Sequence, residues 1–344
     1  MQEGNGSGSI ARRLPPAASH RRLFLLLAWL LAASAWAQPL PSWNDGPARA
    51  RILAFVQAVT DKAGKDYVEP AQRVAVFDND GTLWSEQPLY FQFQFALEQV
   101  KAAAPKHPEW KDDPAFQALM KRDHAALARL GMKPVLRLLT QANSGMTTDD
   151  YDRTIRTWLG TARHPRFNRP YTELVFVPMI ELLGYLREHG FKTYIVSGGS
   201  IEFIRPWAEK AYGIPPEQVV GSLSQVKFEL GKDGVPVLRR LPNLFEFVDD
   251  GPGKPVGIYR AIGQRPLAAF GNSDGDLQML QYTAAGSGAR LALIVRHTDE
   301  VREWAYDRKS RIGKLDKALD EAERRGWTVV DMTKDWKRVY AFEP

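Results

Sequence analysis

The sequence predicts an α/β protein: a three-layer core around a parallel sheet, with an all-helical segment inserted after the first strand. Three observations carry this. Short apolar runs, VAVF at 74, YIV at 194, LAAF at 267 and LALIV at 291, read as strands covered on both faces. Stretches with apolar residues at helical spacing stand between them, and strands alternating with helices imply a parallel, Rossmann-like sheet. From about Pro88 to Tyr171 the chain offers helical spacing and no convincing strand.

The elements follow in order. Residues 46–64 place Ile52, Phe55, Val56 and Val59 on one helical face ahead of the first strand, which ends at Phe77. Leu89, Phe93, Leu97 and Val100 mark a helix beginning at Pro88, although FQFQF would also suit a period-2 strand. Phe116, Leu119, Leu127 and Leu130 mark further helices. Ile180, Leu183 and Leu186 form a helix ending near Gly190, and KTYIV then runs into SGGS and another helix. A short strand near Val219 and a hairpin around GKDG come next. A helix after Lys254, the strand LAAF, the loop GNSDGD, the strand LALIV, an amphipathic helix with Ile312, Leu315 and Leu319, and a strand at WTVV complete the chain. The resulting domains are a core of residues 38–85 and 172–344 and a helical insert of 86–171.

Residues 1–37 read as a signal peptide: Arg21 and Arg22 precede LFLLLAWLLAASAWA, and Ala35-Trp36-Ala37 has the small-x-small form of a cleavage site. The apolar run is short of the roughly 20 residues that span a bilayer, so no stable membrane anchor is expected after cleavage. The expected location is periplasmic or secreted, with the general secretory and twin-arginine routes both open. The leader holds four arginines and one glutamate, so its removal takes the net charge from +6 to +3. That mild charge, without runs of five like charges, argues against nucleic acid as a partner. The chain has no cysteine, which excludes thiol catalysis and Cys-ligated zinc.

Four strand ends carry polar residues, and strand C-termini in such sheets border the ligand crevice. The first strand ends in Asp78-Asn79-Asp80-Gly81, which is also good turn chemistry. YIV ends in Ser197-Gly198-Gly199, where a hydroxyl and glycine amides suit phosphate oxygens, or where Ser197 is a helix N-cap. Lys254 supplies a point charge for the same oxygens, or is a solvated surface lysine. LAAF ends in GNSDGD, dense in oxygen ligands for magnesium; as a calcium loop it lacks the bidentate glutamate at the twelfth position.

In order and residue type these four sites resemble the haloacid dehalogenase superfamily, its phosphatase branch in particular. DNDGTLW resembles the first motif, VSGGS the second, the lysine of GKPVGI the third and GNSDGDLQML the fourth, over residues 72 to about 300. SGGSIEFIRPWAEKAYGI is similar to phosphoserine phosphatases, and the fourth loop is similar in spacing to that of bacterial class B acid phosphatases. The resemblance implies Asp78 as nucleophile and Asp80 as general acid and then base, with Ser197, Gly198 and Lys254 binding phosphate. It implies Mg2+ held by Asp78, the Asp80 carbonyl and the fourth loop, where Asn272 replaces the usual aspartate and Asp276 is expected to compensate, as ligand or through water. The insert would be the family's cap.

The expected function is hydrolysis of small phosphomonoesters. Trp84 and Glu86, with Tyr90, lie nearest the nucleophile in sequence and are weaker candidates for substrate contact; packing within the cap is the other reading. Glu86 with Trp84 would suit the amine of phosphoserine or, through the aromatic face, the quaternary ammonium of phosphocholine. A phosphate-binding protein with little turnover, weakened at Asn272, and phosphotransfer to another alcohol are alternatives. TARHPRFNRPY, with Arg163, His164, Arg166 and Arg169, either meets a carboxylate or second phosphate or is solvated.

Overall fold

The computed structural model describes residues 38–343 except 122, 131, 232, 243 and 244; the expected signal peptide lies outside the described residues. A first helix, α1 (Pro47–Thr60), leads to β1 (Val74–Phe77), and the helices α2 (Phe91–Ala103), α3 (Pro114–Lys121), α4 (His124–Leu130), α5 (Met132–Ala142) and α6 (Thr148–Thr161) follow before α7 (Val177–Glu188) and β2 (Lys192–Ser200). Then come α8 (Ile201–Tyr212), β3 (Val219–Ser222), β4 (Val226–Leu230), β5 (Pro236–Arg240), α9 (Gly253–Ala261), β6 (Ala268–Gly271) and α10 (Leu277–Ala284). The chain closes with β7 (Leu291–Thr298), β8 (Ala305–Tyr306), α11 (Lys317–Arg325), β9 (Thr328–Asp331) and α12 (Met332–Asp335).

The strand order is β3-β2-β1-β6-β7, with β9 parallel beside β7; only the short β8 pairs antiparallel in this sheet. Alternation of side chains across the pleat splits the strands between two cores. Ala75, Phe77, Ile195, Phe270 and Leu293 pack under α1, α7 and α8, whereas Val74, Val76, Val196, Ala269 and Ile294 pack against Ile258, Leu280 and Ala318 of α9, α10 and α11. The three layers are thus read directly from which strand residues touch which helices. Among the described residues no helix is long and apolar enough to cross a membrane.

Between β1 and β2 the described elements are helical, and FQFQF is helix, with Phe91 and Phe95 buried one turn apart. The helix starts at Phe91 rather than Pro88, because Tyr90 is extended at φ −46°, ψ 128°. A small core of Val100, Trp110, Leu119, Val135 and Leu138 holds α2, α3 and α5 together, while Trp158 of α6 and Phe95 pack on Phe203 of α8. The β4–β5 ribbon around GKDG is antiparallel and clasps this insert through Gly145 N–H to Arg240 O (3.0 Å) and Arg240 N–H to Met146 O (2.9 Å).

One expected helix is shorter than its sequence pattern. Gly313, at φ +63°, interrupts it, so Ile312 and Leu315 lie on a loop and α11 begins at Lys317. The Asp274 carboxylate caps that start, accepting from Asp316 N and Ala318 N at 2.9 Å each.

Candidate active site

β1 stops because its next residues turn. Thr82, Leu83 and Trp84 all direct their amides at Asn79 O (3.2, 2.8 and 3.4 Å), and Gly81 sits at φ +75° where a side chain would strike Asn272. Asp78 N–H still donates to Phe270 O of β6 at 2.9 Å, so its side chain leaves the sheet at a fixed point on the strand edge. The loop is anchored from outside by the Tyr212 hydroxyl on Asn79 Oδ1 (3.0 Å) and by His297 Nε2 on Gly81 O (2.8 Å).

Asp78 meets Lys254 here. The Lys254 Nζ donates to Asp78 Oδ1 at 2.6 Å, to Asp276 Oδ1 at 2.5 Å and to Val196 O at 2.9 Å, and the residue is 2% exposed. The solvated reading of this lysine is therefore wrong, and it lies in the first turn of α9 rather than before it. Burial pushes the ammonium towards neutrality, but the charges of Asp276 and Asp78 outweigh it and hold the pKa above the ordinary lysine value. Asp78 is held well above the carboxylate range by burial and by Asp276, against the pull of Lys254. Asp80 is pushed up to about 6, mainly by burial, with the Trp84 bond opposing.

The fourth loop is more committed than its sequence implies. Asp276 Oδ2 accepts from Asn272 N (3.0 Å), Ser273 N (3.0 Å) and Ser273 Oγ (3.2 Å), while Oδ1 holds Lys254. Both oxygens have partners, so Asp276 fixes the loop and the lysine. Asn272 Oδ1 accepts from the Thr82 hydroxyl (3.1 Å) and Nδ2 donates to Glu86 Oε1 (2.8 Å). Glu86 also accepts from Tyr306 Oη (2.7 Å), and burial, added to by Asp80 and Asp78, keeps its pKa well above the usual range.

Trp84 faces inward. Its ring stacks on Trp207 (centroids 4.1 Å apart), its indole N–H donates to Asp80 Oδ1 at 2.8 Å, and it is fully buried. It orients Asp80 and offers no open aromatic face to a substrate. Ser197 is not the N-cap of α8: that is Ser200, whose Oγ accepts from Phe203 N (3.3 Å), whereas Ser197 Oγ accepts from Gly199 N (3.1 Å). The glycines belong to the irregular end of β2 rather than to a turn. The arginines of TARHPRFNRPY are engaged elsewhere, Arg166 on the carbonyls of Glu300, Val301 and Glu303 and Arg169 on Glu173.

A cavity of about 360 Å³ opens over these groups. Its lining includes Asp78, Asp80, Glu86, Ser197, Gly198, Lys254 and Ser273 and, from the insert and the ribbon, Phe93, Leu136, Leu139, Tyr151 and Arg240. Among the described residues no three His, Cys, Asp or Glu side chains form a metal cage. Hard oxygen donors of mixed type are nonetheless present. Among the described residues the side-chain hydrogen bonds of Asp78 and of Asp80 are confined to Oδ1, Asp78, Asp80 and Asp276 surround the Lys254 ammonium, and Glu86 adds a fourth carboxyl to the site. This excess of negative charge and oxygen fits a divalent cation such as Mg2+.

Asp249 is a residue that motif reading missed, although the doublet Asp249-Asp250 directly before the lysine loop was a visible signal. It is fully buried, both carboxylate oxygens lack a partner among the described residues, and burial, against the charge of Lys254, lifts it to about 7. The folded chain therefore binds more protons here than the unfolded one between about pH 4 and 7, so this group makes stability fall as pH rises through that window and has no further effect above it. Asp249→Asn should gain up to about 4 kcal/mol over the parent at pH 8 relative to pH 4. Denaturant midpoints at both pH values check this; equal differences at the two would contradict it.

The model of the haloacid dehalogenase-like hydrolases matches residues 75–281. No curated protein matches the chain. Similar solved structures include a protein of unknown function from Bordetella pertussis Tohama I (15% identity over 76% of this chain and 99% of that one, TM-score 0.49). Others are a functionally unknown protein from Anaerococcus prevotii (17%, 82% and 92%, TM-score 0.47) and a probable phosphoserine phosphatase from Vibrio cholerae (16%, 69% and 60%, TM-score 0.39). The family match runs from β1 into α10 and so takes in every loop that meets at the Lys254 ammonium; the chain belongs to the haloacid dehalogenase-like hydrolases.

Proposed function

We propose that this chain is an exported, Mg2+-dependent phosphatase that hydrolyses small phosphomonoesters through an aspartyl-phosphate on Asp78. The observation that carries the reading is the buried Asp78–Lys254–Asp276 bridge beside a cavity that Asp78, Asp80 and Lys254 line. With Oδ1 of Asp78 tied to Lys254, Oδ2 is the oxygen left to attack phosphorus. Trp84 occupies Oδ1 of Asp80, which leaves Oδ2 to carry the proton for the departing alkoxide and later to receive one from water. A pKa near 6 suits both duties. Ser197 and Gly198 line the place where the phosphoryl oxygens would sit, and Lys254 adds charge beneath it. Asp78, the Asp80 carbonyl and Asn272, if its amide turns from Thr82, would hold Mg2+, whose bound charge lets a carboxylate approach an anionic phosphate.

The domain reading proposed with it keeps 86–171 as a cap and 38–85 with 172–344 as the core, after removal of 1–37. A cavity of this size suits a small leaving group. Specificity for phosphoserine or phosphocholine loses the Trp84 ring, which is buried against Trp207, whereas Glu86 lines the cavity and takes the bonds from Asn272 and Tyr306 on Oε1.

The test is phosphate release by the mature protein from p-nitrophenyl phosphate, phosphoserine and phosphocholine, with Mg2+ and with chelator. Turnover that chelator suppresses and Mg2+ restores is expected. Tight phosphate binding without release from any ester would favour a binding protein instead.

A further inference from the structure

Arg240 is the cavity group that the phosphoryl chemistry leaves unused. It ends β5, where its backbone is hydrogen-bonded in both directions to the insert, at Gly145 and Met146, so the ribbon sets its position at the seam. Its guanidinium lies 3.8 Å from the centroid of the Tyr151 ring, and both residues line the cavity. Nε and Nη1 are buried without a hydrogen-bond partner among the described residues. The adjacent Arg239 is different: it pairs with Glu229 and donates to Gly145 O.

Arg240 is half-buried, and leaving two of its guanidinium nitrogens buried without partners is costly unless something else supplies them. An acidic side chain in the same surroundings is Glu202, which lies close enough to Tyr151 to raise its hydroxyl pKa, after the larger effect of burial. Glu202 does not fill the role: it accepts from Ser224 N (3.1 Å), and among the described residues its other oxygen is itself unpartnered and it forms no ion pair with Arg240. A planar guanidinium braced on an aromatic ring, with a free N–H edge, matches a planar carboxylate or the oxygens of a phosphate. Apolar side chains, Phe93, Ala96, Leu136 and Leu139, line the same cavity beside polar ones such as Gln92, Thr140 and Asn143.

We propose that Arg240 binds a second anionic group on the substrate, a carboxylate or phosphate at the far end of an apolar leaving group. This rests on the phosphatase reading and specifies its substrate class: phosphomonoesters of alcohols or phenols that are themselves acids or carry a second phosphate. The anion contact, one of two readings for the arginines in TARHPRFNRPY, is thus assigned to an arginine on the ribbon.

The test compares kcat/KM for 4-carboxyphenyl phosphate, hydroquinone bisphosphate and the neutral isostere 4-carbamoylphenyl phosphate, in the parent and in Arg240→Gln and Arg240→Lys. Thermal melts confirm that the variants fold. The parent should favour at least one anionic ester over the carbamoyl ester by about 10- to 100-fold, the range of a charge-assisted contact, and Arg240→Gln should collapse that ratio, with Arg240→Lys between. Which anionic ester is favoured names the group. No preference in the parent, or an equal loss on all three esters in Arg240→Gln, would overturn the inference and leave the phosphatase reading intact. Calorimetric titration with benzoate and with inorganic phosphate gives a readout free of turnover. An Arg240-dependent affinity for one of them supports the site even if no ester is hydrolysed, and unchanged affinity in Arg240→Gln counts against it.

Discussion

Asp78→Asn should lower phosphate release from every ester by at least about a thousandfold while the chain stays folded. An amide cannot form the acyl-phosphate bond at a useful rate, and losing a covalent nucleophile costs most of the chemical step. The fold should tolerate the change, because Asp78 is a buried carboxylate whose charge is opposed by burial and by Asp276. Removing that charge relieves repulsion and leaves Lys254 with Asp276 and Val196 O as partners. Steady-state kinetics beside a thermal melt measures both halves. Substantial turnover in a folded Asp78→Asn would require another nucleophile.

Lys254→Ala should be damaging in a different way, losing turnover and stability together. It leaves Asp78 and Asp276 facing each other without their cation and Val196 O without its donor. Breaking a buried ion pair from one side costs about 3–5 kcal/mol, because the surviving charge stays buried. Adding Asp276→Asn removes one of the stranded charges, so the double variant should recover part of the stability and none of the activity. A double-mutant cycle in denaturant measures the coupling. A Lys254→Ala protein with the parent's midpoint would show that the bridge contributes nothing to the fold.

Those two residues also show what sequence makes legible. Asp78 could be placed because its strand is continuous in sequence and both-face burial leaves the next residue at the sheet edge. The order of the four loops was visible for the same reason, since parallel strands bring their C-terminal ends to one side. What a side chain does there depends on distant partners. The local sequence does not show that Asp276 binds Lys254 and the amides of Asn272 and Ser273, and Trp84 looks like a substrate platform until Trp207, 123 positions later, stacks on its ring. Tyr306, His297 and Tyr212, which secure Glu86 and the first loop, carry no local signal at all. Arg240 sat in a hairpin whose sequence gave no hint that the ribbon clasps the insert. The pattern that carried Ile312 and Leu315 into a helix counted apolar spacing correctly and overlooked the positive-φ glycine between them.

The central claim is a covalent phosphoryl group on Asp78, and reductive trapping tests it most directly. The protein, turning over p-nitrophenyl phosphate with Mg2+, is quenched into borohydride, which reduces an acyl-phosphate to the alcohol, and peptides spanning residues 74–84 are sequenced by mass spectrometry. Homoserine at position 78, absent when substrate is omitted, is the predicted result. Active turnover with Asp78 recovered only as aspartate, or homoserine appearing at Asp80 instead, would contradict the account.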